Sequence, residues 1–383
     1  MKRPVLLLLC AALGACATRP EPPPSESFLH DELFAAPTEP VSADQVFALS
    51  EAMKDFIHVD IAHELRAEGL ARGLVDALAR RDQLKLDYDS EMTRNAAQAF
   101  DARRGNCLSL VIMTAAFARE LGLQVTYQSV DMGETWGRSD NLVFLNTHVN
   151  VTLGKRSVDF TRGYDASRLL TIDFLPAEQI LGQRTRSIPE DTIVAMYMNN
   201  RSAEALVHRQ IDEAYWWARA AIVREPHFAS SYNTLGLVYL RHGDLQASEK
   251  VLRYLLERDP RDSKAMSNLV IVLDKLGRAE ESNALRERLA QMEPYPPYHF
   301  FWLGTVAMQR GDFQAAKALF QKEVRRADYC SEFHFWLGVA EFRLGDIEGA
   351  RQQLAIAIEN STTRTDHDLY AAKLERLRSH GDP

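Results

Sequence analysis

Cys107, His148 and Asp159 are residues whose types and order could perform acyl chemistry. Cys107 stands in the stretch RRGNCLSL, at the expected start of a helix whose free N–H groups and dipole would stabilise a thiolate. A neutral His148 could accept the thiol proton, and Asp159 could hold the imidazole in the required tautomer. The order therefore predicts a nucleophilic cysteine, with its own backbone N–H and the side chain of Asn106 as candidate oxyanion donors.

Helices are expected to lead into the cysteine and to follow it. Ser42 is a plausible N-cap for the first of them, because apolar residues recur after it at helical spacing. The helix that follows the cysteine ends before Gly122, a residue type that often terminates helices. The predicted helices cover approximately residues 43–57, 63–80, 90–103 and 108–121.

Strands are expected to carry the other two candidate residues. The stretches LQVTYQSVDM, LVFLNTHVNVTLG and KRSVDFTRG are typical of strands, and the loop GETWGRSDN separates the first two. Trp136 in that loop is a candidate for the rim of the site. His148 and Asp159 are 11 positions apart across one hairpin turn, so strand pairing could place both side chains on one face.

The motifs RRGNCLSL with FARELGLQVTYQSV, then NTHVNV, then SVDFT resemble the transglutaminase-like superfamily. The resemblance spans roughly residues 85–175 and implies an α+β, papain-like domain over residues 42–185. It implies the role of nucleophile for Cys107, base for His148 and orienting acid for Asp159. The sequence departs from the family at HVN, where H-x-W is common. The alternative is that the cysteine and the histidine are buried core residues.

Residues 193–380 contain a repeat of 34 residues. Four leucines follow this period from Leu235 to Leu337, and four glycines follow it from Gly243 to Gly345. Leu-Gly early in the unit, Gly-Asp at its turn and Pro at its end resemble the tetratricopeptide repeat, a helix-turn-helix unit. The sequence therefore predicts an all-α solenoid that follows the α+β domain. Its parts are a degenerate repeat at about 195–228, four better repeats to about 364 and a capping helix near 366–379.

The first helix of each repeat usually lines the concave face of such a solenoid. An apolar and aromatic set occupies these positions by analogy and could bind an extended peptide, namely Tyr298, Phe301, Met308, Phe335 and Phe342. The alternative is packing between repeats, which is the commoner use of aromatic residues at helical spacing. Tetratricopeptide arrays are commonly protein-interaction modules, so the expected partner is a protein or peptide whose identity the fold does not give.

The N-terminus predicts export and a lipid anchor. Lys2 and Arg3 precede the apolar run VLLLLCAALGA, and LGAC at its end resembles a bacterial lipobox. The resemblance implies a signal peptide over residues 1–15 and lipidation of Cys16, and Ala17 after it implies the outer membrane, facing the periplasm. An ordinary A-x-A cleavage site is the alternative. Residues 16–41, rich in Pro, Glu and Ser, are expected to form a tether.

Composition excludes several other function classes. A net charge of -8 without a basic stripe argues against nucleic-acid binding. His58 and His63 are five residues apart, which does not favour a metal site on one helical face, and no cofactor motif is present. Export leaves Cys107 and Cys330 in an oxidising compartment, where one disulfide is conceivable.

Two functions remain. The first is a membrane-anchored cysteine peptidase, amidase or acyl transferase that forms a thioester and uses its repeats to bind protein. The second is a catalytically silent scaffold that assembles envelope proteins through those repeats. The three candidate catalytic residues favour the enzyme.

Overall fold

A computed structural model of the 383-residue chain describes residues 25–79, 86–90, 92–139, 142–156, 169–175 and 182–379. The described chain has an N-terminal part that mixes helices and strands, followed by a helical solenoid. Among these residues, no helix is both long enough and apolar enough to cross a bilayer.

The N-terminal part places one central helix against a small antiparallel sheet. The helices are α1 (Glu51–Asp55), α2 (Ala62–Glu68), α3 (Leu70–Ala79), α4 (Ala96–Ala102) and α5 (Cys107–Glu120), with a π-helical turn at Phe56–Asp60. The strands are β1 (Asp87–Tyr88), β2 (Arg104–Gly105), β3 (Leu123–Ser139), β4 (Leu142–Arg156), β5 (Leu170–Ile172) and β6 (Arg184–Ile188). They form a parallel pair, β1 with β2, and a four-stranded sheet in the order β5-β4-β3-β6.

Helix α5 is the centre of the N-terminal core. Every residue from Leu108 to Ala118 is buried. Strand β4 supplies Val149, Val151 and Leu153 to the same core, which is the period of two that a strand requires. The polar residues between them therefore lie on the other face of the strand.

Several predicted boundaries differ from the structure. Residues 42–50 are not helical, and Ser50, not Ser42, caps α1 by accepting a hydrogen bond from the backbone N–H of Met53 at 3.3 Å. The helix predicted over residues 63–80 is interrupted at Gly69, whose φ of +87° is open to glycine but strained for other residues. Most of the predicted loop GETWGRSDN continues β3 as far as Ser139.

Residues 190–379 form the predicted solenoid of antiparallel helix pairs. The first pair, matching the degenerate repeat, also belongs to the N-terminal core, because residues 193–198 are buried there. The helices are α6 (Glu190–Val207), α7 (Ile211–Arg224), α8 (Ala229–His242), α9 (Leu245–Arg258), α10 (Ser263–Lys275), α11 (Ala279–Met292), α12 (His299–Gln309), α13 (Phe313–Arg326), α14 (Ser331–Arg343), α15 (Ile347–Glu359) and α16 (Arg364–Ser379).

The solenoid is divided at residues 293–298. The apolar core of the first helix pairs ends at α11, and a separate core begins at Tyr298. Leu303 shows the division most clearly, because it is 47% exposed while Leu235, Leu269 and Leu337 at equivalent positions are at most 3% exposed. Leu303 is therefore not covered by the repeat that precedes it, whereas each of the other three leucines is covered in this way.

Residues 27–38, named the strap here, pack against helices α7, α8 and α9. The sequence predicts a tether over residues 16–41, and for these residues that prediction is wrong. Phe28 and Phe34 are 5% and 7% exposed, within the core of the first repeats. The ring of Phe34 stacks on Tyr215 with centroids 3.9 Å apart. Two buried aromatic rings hold a segment whose composition alone indicates a flexible chain.

Polar contacts fix the strap between its two aromatic anchors. Asp31 accepts hydrogen bonds from Arg219 at 2.8 Å and from the hydroxyl of Tyr215 at 2.6 Å. The indole N–H of Trp216 donates to the carbonyl of Ala35 at 2.6 Å. The strap begins within the 3₁₀ turn Ser25–Phe28 and contains a second one at Asp31–Leu33. It is thus bound as a partly helical peptide, through side chains and main chain together.

Candidate thiol site

Cys107 is the first residue of α5, as the sequence predicts, and Asn106 is its N-cap. The Asn106 side-chain oxygen accepts a hydrogen bond from the backbone N–H of Ser109 at 2.9 Å. Its amide nitrogen donates to the hydroxyl of Thr93 at 2.9 Å. The structure therefore gives Asn106 a role in starting the helix, and its role as an oxyanion donor stays a prediction.

Strand β1 brings Tyr88 next to the cysteine. Tyr88 pairs with Gly105, and the N–H of Asp89 donates to the carbonyl of Gly105 at 3.0 Å. The Tyr88 phenol lies close enough to Cys107 for that residue to influence the pKa of the phenol. Burial raises the pKa of Tyr88, and the adjacent Cys107 raises it further, so the hydroxyl stays a neutral donor. No pattern in the sequence indicated this contact.

His148 lies on β4 and connects the thiol to a carboxylate. It is 5% exposed, and its Nε2 lies 2.6 Å from Oδ1 of Asp173. Cys107 is among the groups that raise the pKa of the same imidazole, which indicates that the two side chains are close. The pairing of Cys107 with His148 stays a prediction, which this proximity supports.

Asp173 is the carboxylate that the structure places on His148, and the sequence reasoning missed it. It directly follows β5, whose Ile172 pairs with Val151 of β4. That register puts Asp173 beside Asn150, which donates to its second oxygen at 3.2 Å, and the N–H of Leu175 donates to the first at 3.0 Å. The signal in the sequence that could have indicated Asp173 is the short strand-like stretch LLTI, which this acidic residue follows directly.

Two predicted residues cannot be compared with this geometry. Asp159 lies outside the described residues, so its role as orienting acid stays a prediction. Trp136 lies on β3, where its backbone pairs with Leu145, but its side chain is outside the described part. The stretch HVN, where the sequence departs from the H-x-W of the family, contains Asn150. The side chain of Asn150 donates a hydrogen bond to Asp173.

The environment of His148 favours its protonated form. Burial lowers the pKa of His148, but hydrogen bonds with Asp173 and Cys107 raise it more, to about 9. Burial raises the pKa of Asp173, whereas the hydrogen bonds from His148 and the Leu175 N–H lower it more, to below its usual value. At neutral pH the pair is an imidazolium and a carboxylate, which gives the adjacent sulfur a cationic hydrogen-bond donor.

The sign of the pH dependence follows from the raised pKa. Because the pKa of folded His148 lies above the ordinary value of 6.5, its contribution to stability is complete below pH 6.5 and is lost as the pH rises through about 9. His148 and Asp173 therefore form an ion pair beside Cys107 at neutral pH.

Cys330 provides an internal reference thiol. Burial raises the pKa of Cys330 to about 11. Its sulfur lies 3.9 Å from the Tyr298 hydroxyl, and both Cys330 and Cys107 are free. The conceivable disulfide between them is not formed.

Most of the predicted peptide groove is core. Tyr298 and Phe301 are each 1% exposed, Met308 packs against the same core, and Phe335 stacks on Tyr370 at 4.8 Å. Phe342 is 46% exposed. Tyr298 and Phe301 cannot touch a peptide because neighbouring helices cover them, which agrees with the alternative of packing between repeats.

Comparison with known proteins identifies the repeats. The family model "Tetratricopeptide repeat" matches residues 233–295 and 303–364. No curated protein matches the chain. The C-terminal half is therefore a tetratricopeptide repeat solenoid, a class that binds proteins or peptides. A transglutaminase-like fold for residues 42–185 stays a prediction.

Solved structures resemble the repeat half of the chain. A thermophilic tetratricopeptide repeat protein from Thermus thermophilus is 18% identical, with 47% of this chain and 98% of that chain covered and a TM-score of 0.30. Pseudomonas aeruginosa pilF is 19% identical, with coverages of 49% and 93% and a TM-score of 0.28. YrrB, a tetratricopeptide repeat protein described as having an unusual peptide-binding site, is 18% identical, with coverages of 47% and 92% and a TM-score of 0.25.

We expect iodoacetamide at pH 7 to label Cys107 at least about 10-fold faster than Cys330, because burial raises the pKa of the Cys330 thiol to about 11 and leaves little of its reactive thiolate. Asp173→Asn should slow the labelling of Cys107 by about 10-fold, because it removes the carboxylate that keeps His148 protonated. Mass spectrometry of the two cysteine peptides over time measures both rates.

Asp159→Asn is the matched control and should change the labelling rate of Cys107 by less than about 2-fold. If Asp159→Asn slowed the labelling of Cys107 and Asp173→Asn did not, Asp159 would be the residue that orients His148. Equal labelling of the two cysteines in the unaltered chain would contradict an activated Cys107.

Proposed function

We propose that this chain binds a protein or peptide partner through its repeats and holds it for assembly with other proteins. The observation that carries the proposal is the strap, because helices α7 to α9 already hold a peptide segment of this chain. Its aromatic anchors are buried, and its main-chain carbonyls receive hydrogen bonds from Trp216 and from Tyr239, the latter at 2.7 Å. This is the combination of side-chain pockets and main-chain contacts by which proteins recognise peptides.

The chemistry of the bound segment describes the class of ligand. Phe28, Asp31 and Phe34 are three positions apart in sequence and supply two aromatic rings with an acid between them. Arg219 faces the acid and Tyr215 faces the second ring. A partner for this type of surface is a peptide in which aromatic residues lie three positions before and three positions after an acidic one.

Thiol-dependent acyl chemistry is a second candidate function, favoured by the contacts of Cys107 with His148 and of His148 with Asp173. The Cys107 sulfur would attack the carbonyl carbon of an amide and form a thioester. The amine would leave with a proton from His148, and water or a second amine would then release the acyl group. The resemblance to the transglutaminase-like superfamily supports the same chemistry and the same order of residues.

One capture experiment separates the two candidates. The intact chain and its Cys107→Ala variant are used side by side as baits in an envelope extract of the source cells, and bound proteins and covalent adducts are identified by mass spectrometry. Binding through the repeats predicts the same partners on both baits. Acyl chemistry adds an adduct on Cys107 of the unaltered chain alone, and the absence of any specific partner on either bait would contradict the first proposal.

We also propose that lipid on Cys16 anchors the chain to the outer membrane, facing the periplasm. The order of charged residues, apolar run and LGAC at residues 2–16 supports this. Residues 17–26 reach at most about 35 Å when extended, so the strap would keep the first repeats close to the membrane.

Cys16→Ala should release the protein from the membrane fraction, because a soluble domain without acyl chains has no comparable anchor. Fractionation and immunoblotting measure the distribution. Cys10→Ala, which leaves the lipid-carrying residue intact, is the control. Unchanged membrane association of Cys16→Ala would contradict the anchor.

A further inference from the structure

Helix α12 exposes the surface by which the first helix of a repeat joins the preceding repeat. Val306 is 40% exposed. Its equivalents at the 34-residue period are 0% exposed, namely Val238, Val272 and Ala340. Leu303, one turn earlier, shows the same contrast. Since a preceding helix pair covers these positions elsewhere in the solenoid, the exposed surface of α12 is one half of a junction between repeats.

Helix α11 exposes the other half of this junction. Leu289 is partly exposed, whereas its equivalents are at most 3% exposed, namely Leu255, Glu323 and Ala357. Helices α11 and α12 do not pack against each other as α9 and α10 do, or as α13 and α14 do. The two surfaces that would cover each other in a regular solenoid are therefore both present and apart.

The sequence makes this junction weaker than the others. Arg286 is exposed and stands where the other repeats have buried apolar residues, namely Leu252, Phe320 and Leu354. Ion pairs at equivalent positions join the repeats on either side, namely Glu249 with Arg278 at 2.5 Å and Lys317 with Asp346 at 3.2 Å. At the division the same positions hold Asn283 and Asp312, which cannot form an ion pair. This junction is thus the easiest one to open.

The linker at residues 293–298 differs from the other connections between repeats. Helix α12 begins at His299, two residues later than the starts of α8, α10 and α14 predict at the 34-residue period. Pro297 disfavours a helical conformation for the residue before it. Tyr298 has a φ of +64°, which is unusual for a residue other than glycine. A change of backbone conformation at this point would turn one half of the solenoid relative to the other.

The last repeat is attached to the N-terminal part of the chain. The N–H of Ser90 donates to the carbonyl of Thr362 at 2.9 Å, and the Ser90 hydroxyl donates to the Thr362 hydroxyl at 2.8 Å. Thr362 lies in the loop between α15 and α16. Helices α12 to α16 each pack on the next, so a rotation that brings α12 onto α11 would carry Thr362 away from Ser90.

We propose that residues 293–298 are a hinge with two positions. The open position is held by Ser90 and Thr362, and in the closed position α11 covers Leu303 and Val306. Hydrogen bonds favour the first and apolar burial favours the second. The chain's own α11 is the expected cover, because the short linker gives it a far higher effective concentration than a second copy has.

The hinge goes beyond the functions proposed above and depends on neither of them. Its consequence concerns any partner that contacts repeats on both sides of residues 293–298. Such a partner would favour the closed position if it binds that form more tightly, and it would thereby separate Thr362 from Ser90.

Hydroxyl-radical footprinting of the full chain, read by mass spectrometry, measures how accessible Leu303 and Val306 are. We expect Thr362→Arg to separate the last repeat from Ser90 and to slow oxidation of both residues by at least about 5-fold, which requires about four-fifths of the molecules to be closed. Adding Leu289→Glu to Thr362→Arg should restore the original rate, because closure would bury the new carboxylate. Phe342, 46% exposed on α14, is the internal reference and should not change.

Gln352→Arg adds the same charge at an exposed position of the last repeat and should leave the oxidation rates within about 2-fold. Ser90→Ala removes the hydroxyl contact alone and should slow oxidation less than Thr362→Arg does. Circular dichroism and light scattering establish that each variant is folded and monomeric. Unchanged oxidation in both Thr362→Arg and Ser90→Ala would overturn the hinge. Protection that persists with Leu289→Glu, or that occurs only in a dimer, would overturn α11 as the cover.

Discussion

Each helix pair in residues 190–379 has an apolar side that only a neighbouring element can cover. Along most of the solenoid the neighbour is the next repeat, which leaves Leu235, Leu269 and Leu337 buried. At its beginning the neighbour is the N-terminal core, which buries residues 193–198 of α6. The α+β part of the chain is therefore also the cap of the solenoid.

The strap follows from the same constraint. Helices α7 to α9 have an aromatic surface, and Phe28 and Phe34 from the N-terminal segment cover it. At residues 293–298 no such cover exists among the described residues, and Leu303 is exposed. At helices α7 to α9 a peptide segment covers the apolar surface, which is the physical basis for proposing that the repeats bind a peptide in function.

The thiol site depends on the repeats for its placement. A buried imidazolium and carboxylate are costly unless their hydrogen bonds are satisfied, and Asn150 and the Leu175 N–H provide bonds to Asp173. On the other side of the cysteine, Ser90 and Thr93 form hydrogen bonds with Thr362 and Glu204 of the solenoid. Partner binding by the repeats and chemistry at Cys107 would thus be connected through Ser90 and Thr93.

The sequence allowed prediction of features that are local or periodic. The 34-residue spacing predicted the helix pairs, and the position of Cys107 before an apolar helix predicted a helix start with Asn106 before it. Contacts that depend on tertiary structure were not predictable in the same way. Asp173 reaches His148 only through the register of β5 on β4, and Tyr88 reaches Cys107 only through the parallel pairing of β1 with β2.

The strap was missed because its composition indicates a flexible chain while two aromatic residues decide its position. A synthetic peptide of residues 25–38 tests directly whether the repeats recognise a peptide. It is titrated by fluorescence anisotropy against a folded variant in which glycine and serine replace those residues. We expect saturable one-to-one binding, and at least about 10-fold weaker binding when Phe34→Ala is made in the peptide. No saturable binding, or equal binding of the two peptides, would contradict the account.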